Sequence, residues 1–140
     1  EFASILRTKK IGIAGCLGLI EEARIFTRIV RAHGFEAVSV ICKVGSLDKA
    51  EMGIPNDVKL IPGEFEASCN PVMQAHILNR ENTDFNVAIG LCVGHDAIFT
   101  RYSHALVTTL IAKDRVLGHN PAAALYTSKS YYGKLLKPSK

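Results

Sequence analysis

Short apolar segments alternate with amphipathic ones along this chain of 140 residues, and the alternation limits the possible folds more than any other feature. Four segments have the length and β-branched content of strands: KIGIA, EAVSVICKVG, DFNVAIGLCVG and ALVTTLIAKD. Segments with helical spacing of apolar residues lie between them: LIEEARIFTRIVRAHG, SCNPVMQAHILNREN and HDAIFTRYS. Strands that alternate with helices predict an open, mostly parallel sheet with helices on both faces.

Capping residues predict the ends of the first two helices. Glu21 and Glu22 suit the first turn of one helix, and Gly34 is placed to end it. Asn70 suits the cap position of the second helix, with Pro71 at its first helical position. These signals agree with the apolar spacing, so two helices are expected in these places.

The last third of the chain completes the predicted fold. The fourth strand is apolar enough to be covered on both faces, and AAALYTSKSYYGKLL is expected to form a last helix. With a strand order of 2-1-3-4, the elements build a three-layer, Rossmann- or flavodoxin-like α/β sandwich. We expect one such domain over residues 1–140, and an upstream segment to be missing because the chain does not begin with methionine.

Composition argues against several classes of protein. The 17 Lys and Arg residues exceed the 13 Asp and Glu residues, but they are scattered along the chain, which disfavours a nucleic-acid binder. No apolar run approaches the roughly 20 residues of a membrane span, and the first residues do not resemble a secretory signal. We therefore expect a cytoplasmic protein that binds no membrane and whose partner is a small molecule or a metal. A homo-oligomer is left open.

The four cysteines fall at the predicted carboxyl edge of the sheet. Cys16 lies just after the first strand, and Cys42 and Cys92 end the second and third strands. Cys69 precedes the second helix. In open α/β sheets, ligands bind beyond the carboxyl ends of the strands, at the point where the strand order reverses. Because there is no C-x-x-C pair and a reducing cytosol disfavours disulfides, the thiols should be free or bound to metal.

Two lysines and the helix N-termini favour thiolates at this edge. Lys43 lies at the end of the second predicted strand and Lys113 at the end of the fourth. Helix N-termini carry partial positive charge, and together with an ammonium group they lower the pKa of a cysteine. Either lysine can also bind an anionic substrate. A free cysteine is often a small buried core residue, so simple packing is the alternative for each of the four.

Two of the five histidines lie in loops at the same edge. His95 in GHD and His119 in GHN each follow a glycine and precede a polar residue. Either imidazole can act as an acid, a base or a metal ligand. The alternative is that these loop residues only cap the following helices or contact solvent.

Nucleotide-binding motifs are absent. The glycines at positions 12, 15 and 18 do not fit G-x-G-x-x-G, and the second strand ends in Cys42 and Lys43 in place of an acidic ribose ligand. Glu21 and Glu22 would also repel a phosphate from the start of the first helix. NAD is therefore not expected as a cofactor, and a G-x-x-x-x-G-K-[ST] phosphate clamp is missing too.

Most of the chain is covered by five motifs: KIGIAGCLGLIEEA, VICKVGSLDK, GEFEASCNPVMQA, LCVGHD and DRVLGHNPAAALY. As a set, they resemble a family of small prokaryotic proteins of unknown function that are labelled as predicted metal-binding proteins. The resemblance implies an α/β domain whose motif cysteines match Cys16, Cys42, Cys69 and Cys92. The family's label is associated with a cysteine-rich segment near the N-terminus, which this sequence does not contain. The resemblance therefore supports the fold and the location of the site more than an activity.

The first functional hypothesis is a soft-metal site. Thiolates select zinc, copper(I) or iron–sulfur clusters, and four ligands suit either a tetrahedral ion or a cubane. The cofactor would be a zinc or iron ion or an iron–sulfur cluster, with His95 as a substitute ligand. Four cysteines would supply the metal ligands: Cys16, Cys42, Cys69 and Cys92.

Two other hypotheses need no metal. In a cysteine-based enzyme, the nucleophile would be Cys16 or Cys92, and His95 or His119 would move protons. Lys43 or Lys113 would then hold a small anionic substrate. In a non-catalytic module that binds a small ligand or a partner protein, the cysteines would only pack, and serine substitutions would reduce stability without changing binding.

Overall fold

Four parallel strands form one sheet in the computed structural model, which describes residues 1–137 of the chain. The strand order is β2-β1-β3-β4, so the predicted order 2-1-3-4 and the α/β class are confirmed. The domain predicted over residues 1–140 extends three residues beyond the described part. The strands are β1 (Lys10–Gly15), β2 (Glu36–Ile41), β3 (Phe85–Ile89) and β4 (Leu106–Ile111).

Helices cover both faces of this sheet and divide the core in two. One apolar cluster joins Ile13, Val87 and Ile89 to Ala23 of α2, and Cys16 and Cys42 belong to it. The other joins alternate strand residues to α3 and α4. None of the helices within residues 1–137 is long and apolar enough to cross a membrane. The helices are α1 (Phe2–Ile5), α2 (Ile20–Ala32), α3 (Pro71–Arg80), α4 (His95–Tyr102) and α5 (Ala122–Tyr126).

The predicted helix ends are observed for α2 and α3. Gly34, just beyond the end of α2, has a positive φ of 84°, a conformation that glycine adopts without steric cost. At the start of α3, the Asn70 side chain accepts a hydrogen bond from the N–H of Met73 at 2.9 Å. Pro71 occupies the first helical position. Local capping chemistry therefore fixes both ends, as the sequence indicated.

The prediction that β4 is covered on both faces is wrong. Leu106 and Leu110 are 62% and 51% exposed. The strand lies at the end of the strand order and pairs with β3, whereas α2 and α3 pack over β1 and β2. An apolar sequence thus marks a strand correctly without revealing that the strand lies at an edge.

The single last helix predicted over AAALYTSKSYYGKLL is also wrong. The segment forms the short helix α5, then turns, and then a 3₁₀ helix over Gly133–Leu136. Leu125 and Tyr131 are 70% and 91% exposed, so their apolar surfaces do not anchor a longer helix to the sheet. Short helices gain most of their stability from such packing, which explains the interruption.

The long connection between β2 and α3 folds back on itself, and we call residues 43–69 the return loop. Asp48 and Ala67 form an antiparallel bridge inside it, and the buried Lys59 ammonium lies 2.7 Å from the Asp48 carboxylate. Where the return loop ends, the N–H of Asn70 donates to the carbonyl of Cys42 at 2.8 Å. The loop therefore brings Cys69 back to the end of β2.

Candidate thiolate site

The structure brings the four cysteines together at the carboxyl edge of the sheet, where the sequence predicts them. All four are free thiols. The Cys69 sulfur lies 3.8 Å from that of Cys42, and Cys42 and Cys16 belong to one buried cluster at the paired ends of β2 and β1. The Lys113 ammonium lies 2.6 Å from Cys16 Sγ and 3.5 Å from Cys92 Sγ. We call the three sulfurs of Cys69, Cys42 and Cys16 the sulfur row; Lys113 and Cys92 continue it on one side.

Strand pairing carries Cys16 and Cys42 into neighbouring positions. The N–H of Cys16 donates to the carbonyl of Ile89 at 3.0 Å, which extends the β1–β3 ladder by one residue. The N–H of Cys42 donates to the carbonyl of Gly15 at 2.9 Å and extends the β1–β2 ladder in the same way. Each cysteine therefore follows the last residue of its strand, in the crevice beyond the sheet.

Cys16 has the environment of a thiolate. Its side chain caps the 3₁₀ turn that leads into α2 and accepts from the N–H of Gly18 at 3.4 Å. Burial would raise the pKa of Cys16, but hydrogen bonds from Lys113, Gly18 and Cys42 and the positive charge of Lys113 lower it below its ordinary value. Cys16 is 5% exposed, so its negative charge is shielded from bulk water.

Lys113 supplies the positive charge from the loop after β4. Burial would lower the pKa of Lys113, yet its contacts with Cys16 and Cys92 raise it above the ordinary value. The following loop is held by Asp114, whose carboxylate accepts from two backbone N–H groups. An ammonium and a thiolate in contact each favour the charged form of the other.

Cys42 has the opposite character, although it is equally buried. Burial raises its pKa most, and the N–H of Leu17, 3.4 Å from its sulfur, opposes that effect. Negative charge on Cys69 or Cys16 raises the pKa of Cys42 further, to about 11. Cys42 therefore remains a neutral thiol between two other sulfurs. Cys69, at the outer end of the sulfur row, is half-buried.

Three of the predicted site residues lie outside the row of contacts. The Lys43 ammonium donates to the carbonyl of Ala67 and so joins the beginning of the return loop to its end. His119 accepts at Nδ1 from the N–H of Asp114 at 3.1 Å, which supports the loop after Lys113. His95 begins α4, and its N–H donates to the carbonyl of Cys92. The chemical roles expected for these three residues stay predictions.

The donor set does not fit a shared metal ion in this arrangement. Across the described residues 1–137, no three His, Cys, Asp or Glu side chains are grouped so that they could hold one. The Lys113 ammonium lies against both Cys16 and Cys92, where a shared cation would have to be. A tetrahedral site needs its sulfurs around one centre, whereas here they form a row.

Gln74 is a site residue that the sequence analysis missed. Its side chain is fully buried in α3, and Nε2 donates to the carbonyls of Gly15 at 3.1 Å and Val40 at 2.8 Å. These carbonyls lie at the ends of β1 and β2, next to Cys16 and near Cys42. The available signal was its position on the apolar stripe of α3, beside Ala75, where a buried amide needs partners.

The comparisons with known proteins identify a family. Residues 1–110 match the family described as "Protein of unknown function (DUF1847)". The chain belongs to this family. All four cysteines of this DUF1847 protein lie within the matched residues.

A relative from a methanogenic archaeon extends the match to nearly the whole chain. The DUF1847 protein is 51% identical over 137 residues to "Uncharacterized protein MJ0455" of Methanocaldococcus jannaschii. The aligned residues make up 98% of this chain and 68% of the relative. No solved structure matches the chain. The expected resemblance to a family of unknown function is thus confirmed, and the metal-binding label stays a prediction.

Proposed function

We propose that this DUF1847 protein is a cysteine-based enzyme that works without a metal and uses the Cys16 thiolate as its nucleophile. The observation that supports the proposal is the 2.6 Å contact between Lys113 Nζ and Cys16 Sγ. The thiolate is the reactive form of cysteine, and a neighbouring ammonium together with a backbone N–H donor favours it.

Burial of the site favours a small substrate. Cys16 is almost inaccessible, whereas Lys113, Cys92 and Cys69 are half-buried and form the outer side of the site. A small electrophile can approach the thiolate along this side, and the Lys113 ammonium can stabilise negative charge on the substrate or on its leaving group. A small, anionic or oxygen-rich electrophile is therefore the substrate class that suits the site.

The four-thiolate site for zinc, iron or an iron–sulfur cluster remains the competing prediction. It would require Lys113 to leave the position between Cys16 and Cys92, so that the sulfurs could surround one centre. Metal and sulfide analysis of protein purified without oxygen separates the two. Stoichiometric zinc, or iron with sulfide, bound through these cysteines would contradict the metal-independent proposal.

Alkylation at different pH values tests the nucleophile. Reduced protein would be treated with iodoacetamide from pH 5 to pH 10, and the rate at Cys16 followed by peptide mass. We expect alkylation of Cys16 to accelerate at a lower pH than alkylation of a free cysteine, because its thiolate forms at a lower pH. Lys113→Met should move this midpoint upwards and slow alkylation at pH 7 by roughly threefold to tenfold, since the thiolate fraction falls while each thiolate becomes more nucleophilic.

Lys9→Met is the matched control for the charge. Lys9 is exposed and immediately precedes β1, so the length of the strand, roughly 20 Å, separates it from Cys16. Its loss should leave the alkylation profile unchanged. If Cys16 in the wild type titrates like a free thiol and Lys113→Met changes nothing, the thiolate nucleophile is refuted.

A further inference from the structure

The sulfur row offers a chemistry that a single nucleophile does not need. Three thiols from distant parts of the chain lie side by side: the Cys69 and Cys42 sulfurs are 3.8 Å apart, and Cys42 neighbours Cys16 at the paired ends of β2 and β1. A disulfide bond is about 2.05 Å long, so the Cys42 and Cys69 sulfurs, now 3.8 Å apart, need to approach by less than about 2 Å. Small rotations of the two side chains can supply that distance.

We propose that the sulfur row is a thiol relay that reduces a hydroperoxide at Cys16 and ends in a disulfide between Cys42 and Cys69. The inference rests on the proposed function, because Cys16 is again the attacking thiolate, and it names the substrate class. A hydroperoxide is small enough for a sulfur that is 5% exposed. Its reduction releases an oxyanion, which the adjacent Lys113 ammonium is placed to protonate.

The first step oxidises Cys16. Its thiolate attacks the terminal oxygen of the hydroperoxide, an S–O bond forms, and the O–O bond breaks. The sulfur becomes a sulfenic acid, and the departing oxygen takes a proton from Lys113 and leaves as an alcohol, or as water when the substrate is hydrogen peroxide. Sulfenic acids condense readily with a neighbouring thiol, and Cys42 is the cysteine beside Cys16 at the paired ends of β1 and β2.

The next two steps move the oxidised state outwards along the row. Cys42 attacks the Cys16 sulfur, so that an S–S bond forms, the S–O bond breaks and the hydroxyl leaves as water with the proton of Cys42. Cys69 then attacks the Cys42 sulfur and releases Cys16 as a thiolate, while the Cys69 proton restores Lys113. Cys16 leaves readily because the ammonium stabilises its negative charge.

The relay returns to its starting state by using an external dithiol. Cys69 is half-buried, whereas Cys16 and Cys42 are buried, so the disulfide is accessible from the Cys69 side. A soluble dithiol or a dithiol protein attacks there, becomes a disulfide itself and regenerates both thiols. The overall reaction consumes one hydroperoxide and one dithiol, and it yields an alcohol or water, a second water and one disulfide.

One equivalent of hydrogen peroxide added to the reduced protein tests the relay. Non-reducing peptide mapping of the wild type should reveal a Cys42–Cys69 disulfide, and dithiothreitol should reverse it. Cys69→Ser should stop at a Cys16–Cys42 disulfide, and Cys42→Ser should leave a sulfenic acid on Cys16 that dimedone captures. Cys16→Ser should slow the disulfide by roughly tenfold or more, because the thiolate that reacts first is missing.

Cys92→Ser is the matched cysteine control. Cys92 contacts the Lys113 ammonium, so its loss can change the rate at Cys16, but the peptide map should still contain the Cys42–Cys69 disulfide as the product. A wild type that forms another disulfide, or a Cys16→Ser protein that forms the same one equally fast, would overturn the relay. Because the time course of the wild type alone reports the order of intermediates, the test does not depend on the folding of any variant.

The alkylation experiment separates this inference from the proposed function. If Cys16 alkylates as a thiolate but peroxide produces no Cys42–Cys69 disulfide, the relay is refuted and the nucleophile stands. If Cys16 alkylates as an ordinary thiol, both are refuted. The two proposals therefore fail on different measurements.

Discussion

Cys16 and Cys42 show how far two similar residues can differ at the residue scale. Both follow a strand, both are buried, and both belong to the same apolar cluster. The ammonium of Lys113 reaches Cys16 and favours its thiolate, whereas Cys42 lies between sulfurs and retains its proton. The charge of Lys113 thus makes Cys16 the nucleophile, whereas Cys42 is the thiol that then reacts with Cys16.

Gln74 joins the carboxyl ends of the two strands that precede these thiols. Replacing Gln74 with Leu removes the donor to the carbonyls of Gly15 and Val40. We expect a loss of about 1 to 3 kcal/mol in the free energy of unfolding, because buried carbonyls lose a hydrogen bond. Alkylation of Cys16 should also slow, since the ends of β1 and β2 are no longer fixed. Urea denaturation and the iodoacetamide rate measure the two effects.

Met73→Leu is the control for this change. Met73 is the preceding residue on α3 and is 40% exposed, so a conservative change there should alter stability by less than about 0.5 kcal/mol. Equal alkylation rates in the Gln74→Leu protein and the wild type would argue against a positioning role.

At the scale of elements, the return loop determines where Cys69 lies. Its interior is polar: Lys59 contacts Asp48, and Lys49 contacts Glu66 at 2.6 Å. The hydrogen bond from Lys59 is the largest influence that lowers the pKa of Asp48, and that from Lys49 has the same effect on Glu66. Ion pairs within the loop, and not an apolar core, therefore hold its two arms together.

The return loop should consequently loosen in acid. A carboxylate with a lowered pKa stabilises the folded loop above its unfolded pKa of about 4, and this contribution is lost as pH falls through the folded value. Backbone NMR shifts should therefore change below about pH 4 in residues 44–68 before they change in β1 and β3. Asp48→Asn should produce similar shifts at neutral pH, because it removes the carboxylate charge that pairs with the Lys59 ammonium.

Asp57→Asn is the matched control within the same loop, because Asp57 is exposed. It should leave the NMR shifts of Ala67 and Cys69 unchanged at neutral pH. Acid-induced shifts spread evenly over the sheet and the return loop would contradict the role given to these ion pairs.

At the scale of the whole molecule, Cys42 links global stability to alkaline pH. Its thiol titrates at about 11 in the folded protein, whereas an unfolded cysteine titrates near 9. The unfolded state therefore loses this proton first, and stability falls as pH rises from about 9 to 11, by at most about 3 kcal/mol. The loss should be absent from Cys42→Ala.

Urea midpoints of both proteins between pH 8 and pH 11, measured with a reductant present, check this expectation. The stability advantage of the wild type over Cys42→Ala should shrink above pH 9. Taking the difference between the two proteins cancels the contribution of the lysines and tyrosines that both contain. A difference that stays constant over this range would show that Cys42 does not titrate differently in the folded protein.

Sequence patterns predict the parallel sheet, its strand order, the caps of α2 and α3, and the edge at which four cysteines lie. These features follow from local capping and from apolar periodicity, combined with the rule that parallel strands end at one edge. The exposed β4 and the short α5 were not predictable in this way, because apolar residues reveal a tendency to be buried and not the surface that would bury them.

The packing of distant segments determines which groups meet at that edge. Lys43 and Lys113 look equivalent in the sequence, yet Lys43 ties the return loop while Lys113 contacts Cys16, 97 residues away. The order of the sulfur row and the burial of Gln74 were decided in the same way. Contacts of a few ångströms between distant residues depend on how loops and helices pack, and no local pattern in the chain carries that information.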